Sequence, residues 1–437
     1  MSDLLPTLTI RPRSALFDQP VSVRIAGLAP GQAVRLQARV AFPWTPGISW
    51  TSWADLAADA LGEVKLADSV PAAGTYRCAD PMGLFWSLQP SEPPPAPSIS
   101  DLDTSIPLRM AFTLSSNGRF LAEETIERRM QNPEIHASEF AAEGLRGKFF
   151  AHPHGRPRPG ILFLAGAGGG VAQILPAAAL LASHGYSVLA LGYYGEEGLP
   201  ATGEEIPLER FNQALRWLGT QPCVQPKQIG AIGGSKGGEL ALLLGSLNEQ
   251  IRAVVAIAPS TLVLQGAGTS DDPNKAKSSW TYQGQALPFV RPSRSALARG
   301  ALVQALRGKP VHLSSAYQAV LDHAAGQAAQ IPLEGINGPI LLISGTDDGY
   351  WPAARFCEIG MARLKENSFA HPYRHLNYAK AGHSFYAPYL LPTAPAEGTF
   401  LAGLRFTTGG SAEINHRAQV DSWAKILAFF EECFPTA

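Results

Sequence analysis

Cysteine and long apolar runs are scarce in this 437-residue chain. The four cysteines, Cys78, Cys223, Cys357 and Cys433, are scattered and form no C-x-x-C pair. A disulfide-framed scaffold is excluded, and no metal site is expected. Reduced, mostly buried thiols in a cytoplasmic protein are the reading. No apolar run reaches ~18 residues, so no membrane-spanning helix is expected. The opening Met1-Ser-Asp-Leu-Leu-Pro-Thr7 lacks a basic stretch followed by an apolar one, so no signal peptide is expected. An excess of one charge is missing too: 35 Lys and Arg stand against 36 Asp and Glu. No broad basic field invites nucleic acid or an anionic membrane, although a local patch able to hold a phosphorylated ligand is not excluded.

Hydrophobic residues make up 46% of the chain and charged residues 16%, a globular balance. The length exceeds one ordinary core, so two domains are expected. Up to about residue 125 the pattern is β. Leu8-Thr-Ile10, Val21-Ser-Val-Arg-Ile25 and Val34-Arg-Leu-Gln-Ala-Arg-Val40 alternate apolar and polar, as half-buried strands do. Short strands separated by turns point to an antiparallel sandwich. After about residue 140, strands alternate with helices. Gly160–Leu164, Tyr186–Leu191, Ile229–Ile232, Ile251–Ile257 and Ile340–Ser344 read as buried strands. Val420, Trp423, Leu427 and Phe430 form the inner stripe of a terminal helix. This alternation predicts a doubly wound, mostly parallel sheet. The expected division is 1–140 for the β domain and 141–437 for the α/β domain, with a looser cap insertion at about 264–335.

One segment carries chemistry. Ile229-Gly-Ala-Ile-Gly-Gly-Ser235-Lys-Gly-Gly-Glu-Leu240 has the layout of a nucleophile elbow, G-x-S-x-G, between a strand and a helix. A serine there stands clear of the backbone, and the helix N-terminus offers free N–H groups to a developing oxyanion. In a glycine-rich chain such a pentapeptide also arises as a plain turn, and the flanking strand and helix decide for the elbow. In an α/β-hydrolase the acid and then the histidine follow in the chain. Gly345-Thr-Asp-Asp348 follows a late strand, and Gly382-His383 precedes the last helix. Asp348 is favoured over Asp347, since the turn at Gly345 has by then brought the chain round; either could instead cap the helix beginning near Ala353. The other nine histidines read as structural or solvated. The oxyanion hole would use the backbone N–H of Lys236 and one from Ala165-Gly-Ala-Gly-Gly-Gly170, with Ala167 the expected donor. That loop lacks the G-K-[ST] ending of a phosphate cradle.

These pieces together resemble the acyl-CoA thioesterase / bile acid-CoA:amino acid N-acyltransferase family. The resemblance rests on Asp80-Pro-Met-Gly-Leu-Phe-Trp-Ser-Leu-Gln-Pro90, Glu127-Arg-Arg-Met130, Gly144-Leu-Arg-Gly-Lys-Phe-Phe150, Gly166–Gly170, Ala190-Leu-Gly-Tyr-Tyr-Gly195, Gly233–Leu240, Gly345–Asp348 and Ala381–His383, in family order. It implies an α/β-hydrolase fold preceded by an immunoglobulin-like domain. It also implies a triad on Ser235, Asp348 and His383, acyl-CoA as substrate, and no cofactor. The transferase branch carries cysteine as nucleophile, and serine here favours water as acceptor. The alternatives are an acyl-CoA-dependent N- or O-acyltransferase, a carboxylesterase of other specificity, and a non-catalytic binding module. Oligomeric state and acyl chain length stay open.

Overall fold

A computed structural model describes residues 5–92, 102–268, 275–321, 328–385, 387–390, 393–395, 397–399 and 405–435. The chain divides into two compact units, Met1–Pro133 with Tyr386–Ala394, and Glu134–Phe385 with Pro395–Ala437. The division at 133/134 lies earlier than the expected 140/141. The reason is one strand: His136–Ala142 pairs with Leu145–Ala151 and so joins the second unit's sheet.

Among its described residues the first unit is all-β apart from one short helix, Gly83–Trp86. A small sheet holds Thr7–Arg11, Ser22–Ala26 and Val64–Lys65. A larger one is centred on Ala33–Ala41, flanked by Ser49–Ala57 and Leu108–Ser116. Strict alternation of exposed and buried positions along Ala33–Ala41 shows one face covered and one in water. Arg128, in the Glu127–Met130 motif, is almost fully buried. Its guanidinium donates to the carbonyls of Phe17 and Gln19 and lies over the Phe85 ring. That burial pushes its pKa down to about 10.

The second unit carries an eight-stranded sheet. Its strands are β1 (His136–Ala142), β2 (Leu145–Ala151), β3 (Arg158–Leu164), β4 (Ser187–Gly192), β5 (Val224–Gly234), β6 (Ile251–Ile257), β7 (Ile340–Gly345) and β8 (Tyr373–Tyr378). The order is β1-β2-β4-β3-β5-β6-β7-β8. Only β2 runs against its neighbours. This is the α/β-hydrolase topology. Its helices include α1 (Leu175–Ser183), α2 (Phe211–Thr220), α3 (Lys236–Leu247), α4 (Arg294–Leu306), α5 (Ser314–Gln318), α6 (Ala353–Glu366) and α7 (Ala412–Cys433). β4, β6 and β7 are buried almost throughout, as strands covered on both faces must be. From β3 the chain passes to β4 on one side and later to β5 on the other. The carboxyl ends of β3 and β5 therefore flank the point where strand order reverses, which is where open α/β sheets place their ligands.

Between β6 and β7 lie the hairpin Trp280–Tyr282/Gln285–Ala286, α4 and α5. Parts of the expected cap, 269–274 and 322–327, lie outside the described residues, as does most of the proline-rich run beginning at Ser91.

Candidate active site

β5 ends at Gly234 and α3 begins at Lys236, leaving Ser235 alone to make the turn. Its φ of 58° lies in the left-handed region, costly for any residue with a Cβ. The turn is held by the Ser235 N–H, which donates to Ile257 O at 2.7 Å, and by the Ser235 carbonyl, which accepts from Gly238 N–H at 3.0 Å. Two glycines make it possible. A Cβ on Gly233 would strike the Gly237 backbone, and one on Gly237 would strike the carbonyls of Leu164 and Ala165. The loop after β3 comes up against the elbow: a Cβ on Gly166 would stand 3.7 Å from that of Ser235.

That glycine-rich loop is tied from outside. Tyr193 Oη donates to Ala165 O at 3.0 Å, and Tyr194 Oη donates to Ala167 O. Val171 N–H donates to Glu196 Oε1 at 2.9 Å. Gly166 O accepts from Gly169 N–H at 2.9 Å, closing a turn. The peptide between Gly166 and Ala167 is planar and trans, so the Ala167 N–H points opposite to Gly166 O, away from the turn's interior.

The acid and the imidazole leave β7 and β8 at the same carboxyl edge of the sheet. His383 Nδ1 lies 2.7 Å from Asp348 Oδ2. The other oxygen, Oδ1, accepts from the N–H groups of Tyr350 and Trp351, at 2.9 and 3.2 Å. Asp348 is thus fully employed, and its side chain is 1% exposed. The imidazole packs against Tyr350 and Trp351, ring centroids 4.9 and 5.3 Å away. Asp347 does something else. Its N–H donates to Ala381 O at 2.9 Å, and its Oδ2 accepts from Gly410 N–H at 2.9 Å. The histidine loop is further clamped by Asn415, whose Oδ1 accepts from Gly382 N–H at 2.9 Å, and by Thr408 O, which accepts from His383 N–H at 2.8 Å.

A serine–histidine pair lies elsewhere, inside the sheet. Ser344 Oγ lies 2.7 Å from His375 Nε2, between β7 and β8. Ser344 has no exposure, and burial lowers the His375 pKa. This pair is internal packing, as is Cys357, whose buried thiol is pushed up and stays protonated. Among the described residues no three His, Cys, Asp or Glu side chains converge as a metal site requires.

With the elbow, the paired acid and imidazole, and the tethered loop in place, the family models are informative. "BAAT / Acyl-CoA thioester hydrolase C terminal" matches residues 206–434, and "Acyl-CoA thioester hydrolase/BAAT N-terminal region" matches 18–141. The chain belongs to the acyl-CoA thioester hydrolase/BAAT family. It is similar to human acyl-coenzyme A thioesterase 1, 30% identical over 98% of this chain and 96% of the relative. Human mitochondrial acyl-coenzyme A thioesterase 2 is also 30% identical, over 98% and 84%. A mouse peroxisomal succinyl-coenzyme A thioesterase is 28% identical, over 97% and 96%. No helix among the described residues is long and apolar enough to cross a membrane.

One feature of this family member escaped sequence reading. Behind the elbow, Lys236 Nζ donates to both oxygens of Glu239 at 3.0 Å. Glu239 Oε1 also accepts from Trp280 Nε1 at 2.7 Å and from Leu264 N–H at 3.2 Å. The pair pins the first turn of α3 to the start of the cap. Burial alone raises the Glu239 pKa and lowers that of Lys236, and mutual attraction works against both shifts. The signal was an acid three residues after a lysine in an otherwise apolar helix. Glu239→Ala should cost about 3–5 kcal/mol in urea unfolding, because it strands a buried ammonium and two N–H donors. Lys236→Met should cost less, since Glu239 keeps both donors and can take up a proton.

Proposed function

We propose that the protein hydrolyses acyl-CoA thioesters to free acid and coenzyme A through a Ser235–His383–Asp348 triad and an acyl-serine intermediate. The observation that carries this reading is the Asp348–His383 hydrogen bond, at the sheet edge where Ser235 occupies its strained elbow. A carboxylate accepts at Nδ1, so that nitrogen carries the proton and Nε2 keeps the lone pair of a general base. His383 Nε2 takes the proton of Ser235 Oγ as it attacks the thioester carbonyl. The N–H groups of Lys236 and Ala167 serve the oxyanion. Collapse breaks the C–S bond, and the departing sulfur of coenzyme A takes the proton from His383 to leave as a thiol. Water then attacks the acyl ester, His383 accepting its proton; the bond from Ser235 Oγ to the acyl carbon breaks, His383 returns the proton to Oγ, and the acid departs. Asp348 stays ionised throughout and stabilises the imidazolium.

Serine rather than cysteine supports water as acceptor, because an acyl-serine ester is less prone to aminolysis than an acyl-cysteine thioester. The relatives include an acyl-coenzyme A and a succinyl-coenzyme A thioesterase, and we assign the choice of acyl group in this chain to its cap. Four free thiols suit a reducing compartment, and we assign the protein to the cytoplasm on that ground. The test is thiol release from acyl-CoAs of graded chain length, with glycine or taurine added and conjugates sought by mass spectrometry. Free acid as the only product is expected. A dominant conjugate would assign a transferase instead, and turnover confined to oxygen esters would assign a carboxylesterase.

A further inference from the structure

Helix α4 is built inside out. Its inward positions are small, with Ala296 and Ala301 buried and Gly300 close enough that a Cβ there would stand 2.9 Å from Ser315 Oγ. Its exposed positions include three large apolar side chains near its end: Leu302 is 63% exposed, Val303 46% and Leu306 80%. A helix stabilised by its own packing carries the reverse pattern. A single exposed leucine calls for no explanation, but three large apolar side chains within five residues on one helix do.

The charge around this strip has one sign. From Lys275 to Leu321 the basic residues are Lys275, Lys277, Arg291, Arg294, Arg299, Arg307 and Lys309, and there is no Asp or Glu. Lys277 is engaged by Glu205. Among the described residues no carboxylate pairs with Arg299, Arg307 or Lys309, which lie on or just beyond α4. The overall charge of −1 conceals this local excess.

The helix is firmly attached beside the candidate site. Ser293 N–H donates to Ala316 O at 2.8 Å, joining α4 to α5. Leu313 N–H, just before α5, donates to Gly349 O at 2.7 Å, and the Tyr317 ring packs on Trp351, centroids 6.3 Å apart. Gly349 follows Asp348 directly.

We propose that the outer face of α4 docks the protein on an anionic lipid surface, with Leu302, Val303 and Leu306 entering the headgroup boundary and Arg299, Arg307 and Lys309 meeting lipid phosphates. Apolar side chains flanked by arginine and lysine, with no acid in the sequence from Lys275 to Leu321, are the composition of an interfacial helix. A soluble acidic protein partner would match the cations but not the leucines. The docking stands apart from the hydrolytic reading. Its use rests on that reading: a candidate site held beside the lipid surface meets amphiphilic acyl thioesters where they partition.

The experiment is co-sedimentation of the full chain with vesicles of phosphatidylcholine, with and without phosphatidylglycerol. Three unpaired cations predict binding about 100-fold tighter to the anionic vesicles, weakened by added salt. Leu302→Ser/Leu306→Ser should reduce it about tenfold. Arg299→Gln/Arg307→Gln, which leaves the apolar strip and Lys309 in place, should cut the preference for phosphatidylglycerol to about fivefold. Vesicle-free turnover of a short-chain acyl-CoA should be unchanged in both, so a failed docking test and a failed hydrolysis test are read separately. Equal binding to both vesicles, or none, overturns the proposal. So does a dimer in size-exclusion chromatography that the leucine substitutions dissociate, since the strip would then be covered by a second copy.

Discussion

Ser235→Ala is expected to lower kcat/KM for acyl-CoA hydrolysis by on the order of 10^5-fold. The substitution removes the only atom that bonds to the acyl group and leaves the rest in place. Alanine adopts the same positive φ at the same cost, since serine and alanine share a Cβ. The hydrogen bonds that hold the turn use the backbone of residue 235, so the elbow is kept. Stability should change by less than about 1 kcal/mol. The measurement is thiol release over a range of substrate concentrations, beside a melting curve for each protein. Activity within tenfold of wild type, with unchanged melting, would remove serine from the mechanism. Labelling of the wild type by a fluorophosphonate, and its loss in the variant, gives the same answer without substrate.

Asp348→Asn should reduce kcat by on the order of 10^3- to 10^4-fold, with substrate KM little changed. The two side chains have the same shape. The amide, however, has one acceptor oxygen for two duties. If that oxygen keeps the Tyr350 and Trp351 N–H groups, the amide NH2 faces His383 Nδ1. The imidazole must then accept at Nδ1 and carry its proton on Nε2, where it cannot act as base. Asp347→Asn is the control. Its oxygen can still accept from Gly410 N–H, and no bond reaches the imidazole, so a loss under about tenfold is expected. Equal losses in the two variants would show that both acids merely hold the loops together.

The elbow and its neighbours were legible because their signals are local. A strand covered on both faces announces itself as an apolar run, and β6 was delimited at Ile251–Ile257. The edges of the sheet were not. β8, Tyr373-Arg-His-Leu-Asn-Tyr378, has a neighbour on one side only and mixes polar with apolar residues, so no period stands out. β1 shows no alternation of buried and exposed positions, and the expected boundary at 140/141 cuts through it. Only its pairing with β2, residue for residue from His136↔Ala151 to Ala142↔Leu145, assigns it to the second sheet. The inverted pattern of α4 was also readable in principle. Without knowing which face is covered, however, Leu302 and Leu306 look like core.

Read in one dimension, the chain determined what each short segment is: a buried strand, a turn that needs glycine, a helix that starts beside a serine. These follow from side-chain spacing and backbone sterics within a few residues. The tertiary structure decided who meets whom. It paired Asp348 rather than Asp347 with His383, set Glu239 against Lys236 and Trp280, and turned the leucines of α4 outward. Such choices depend on strand register and on the direction in which each side chain leaves its element. Both are set by contacts between residues far apart in the chain, which no local pattern records.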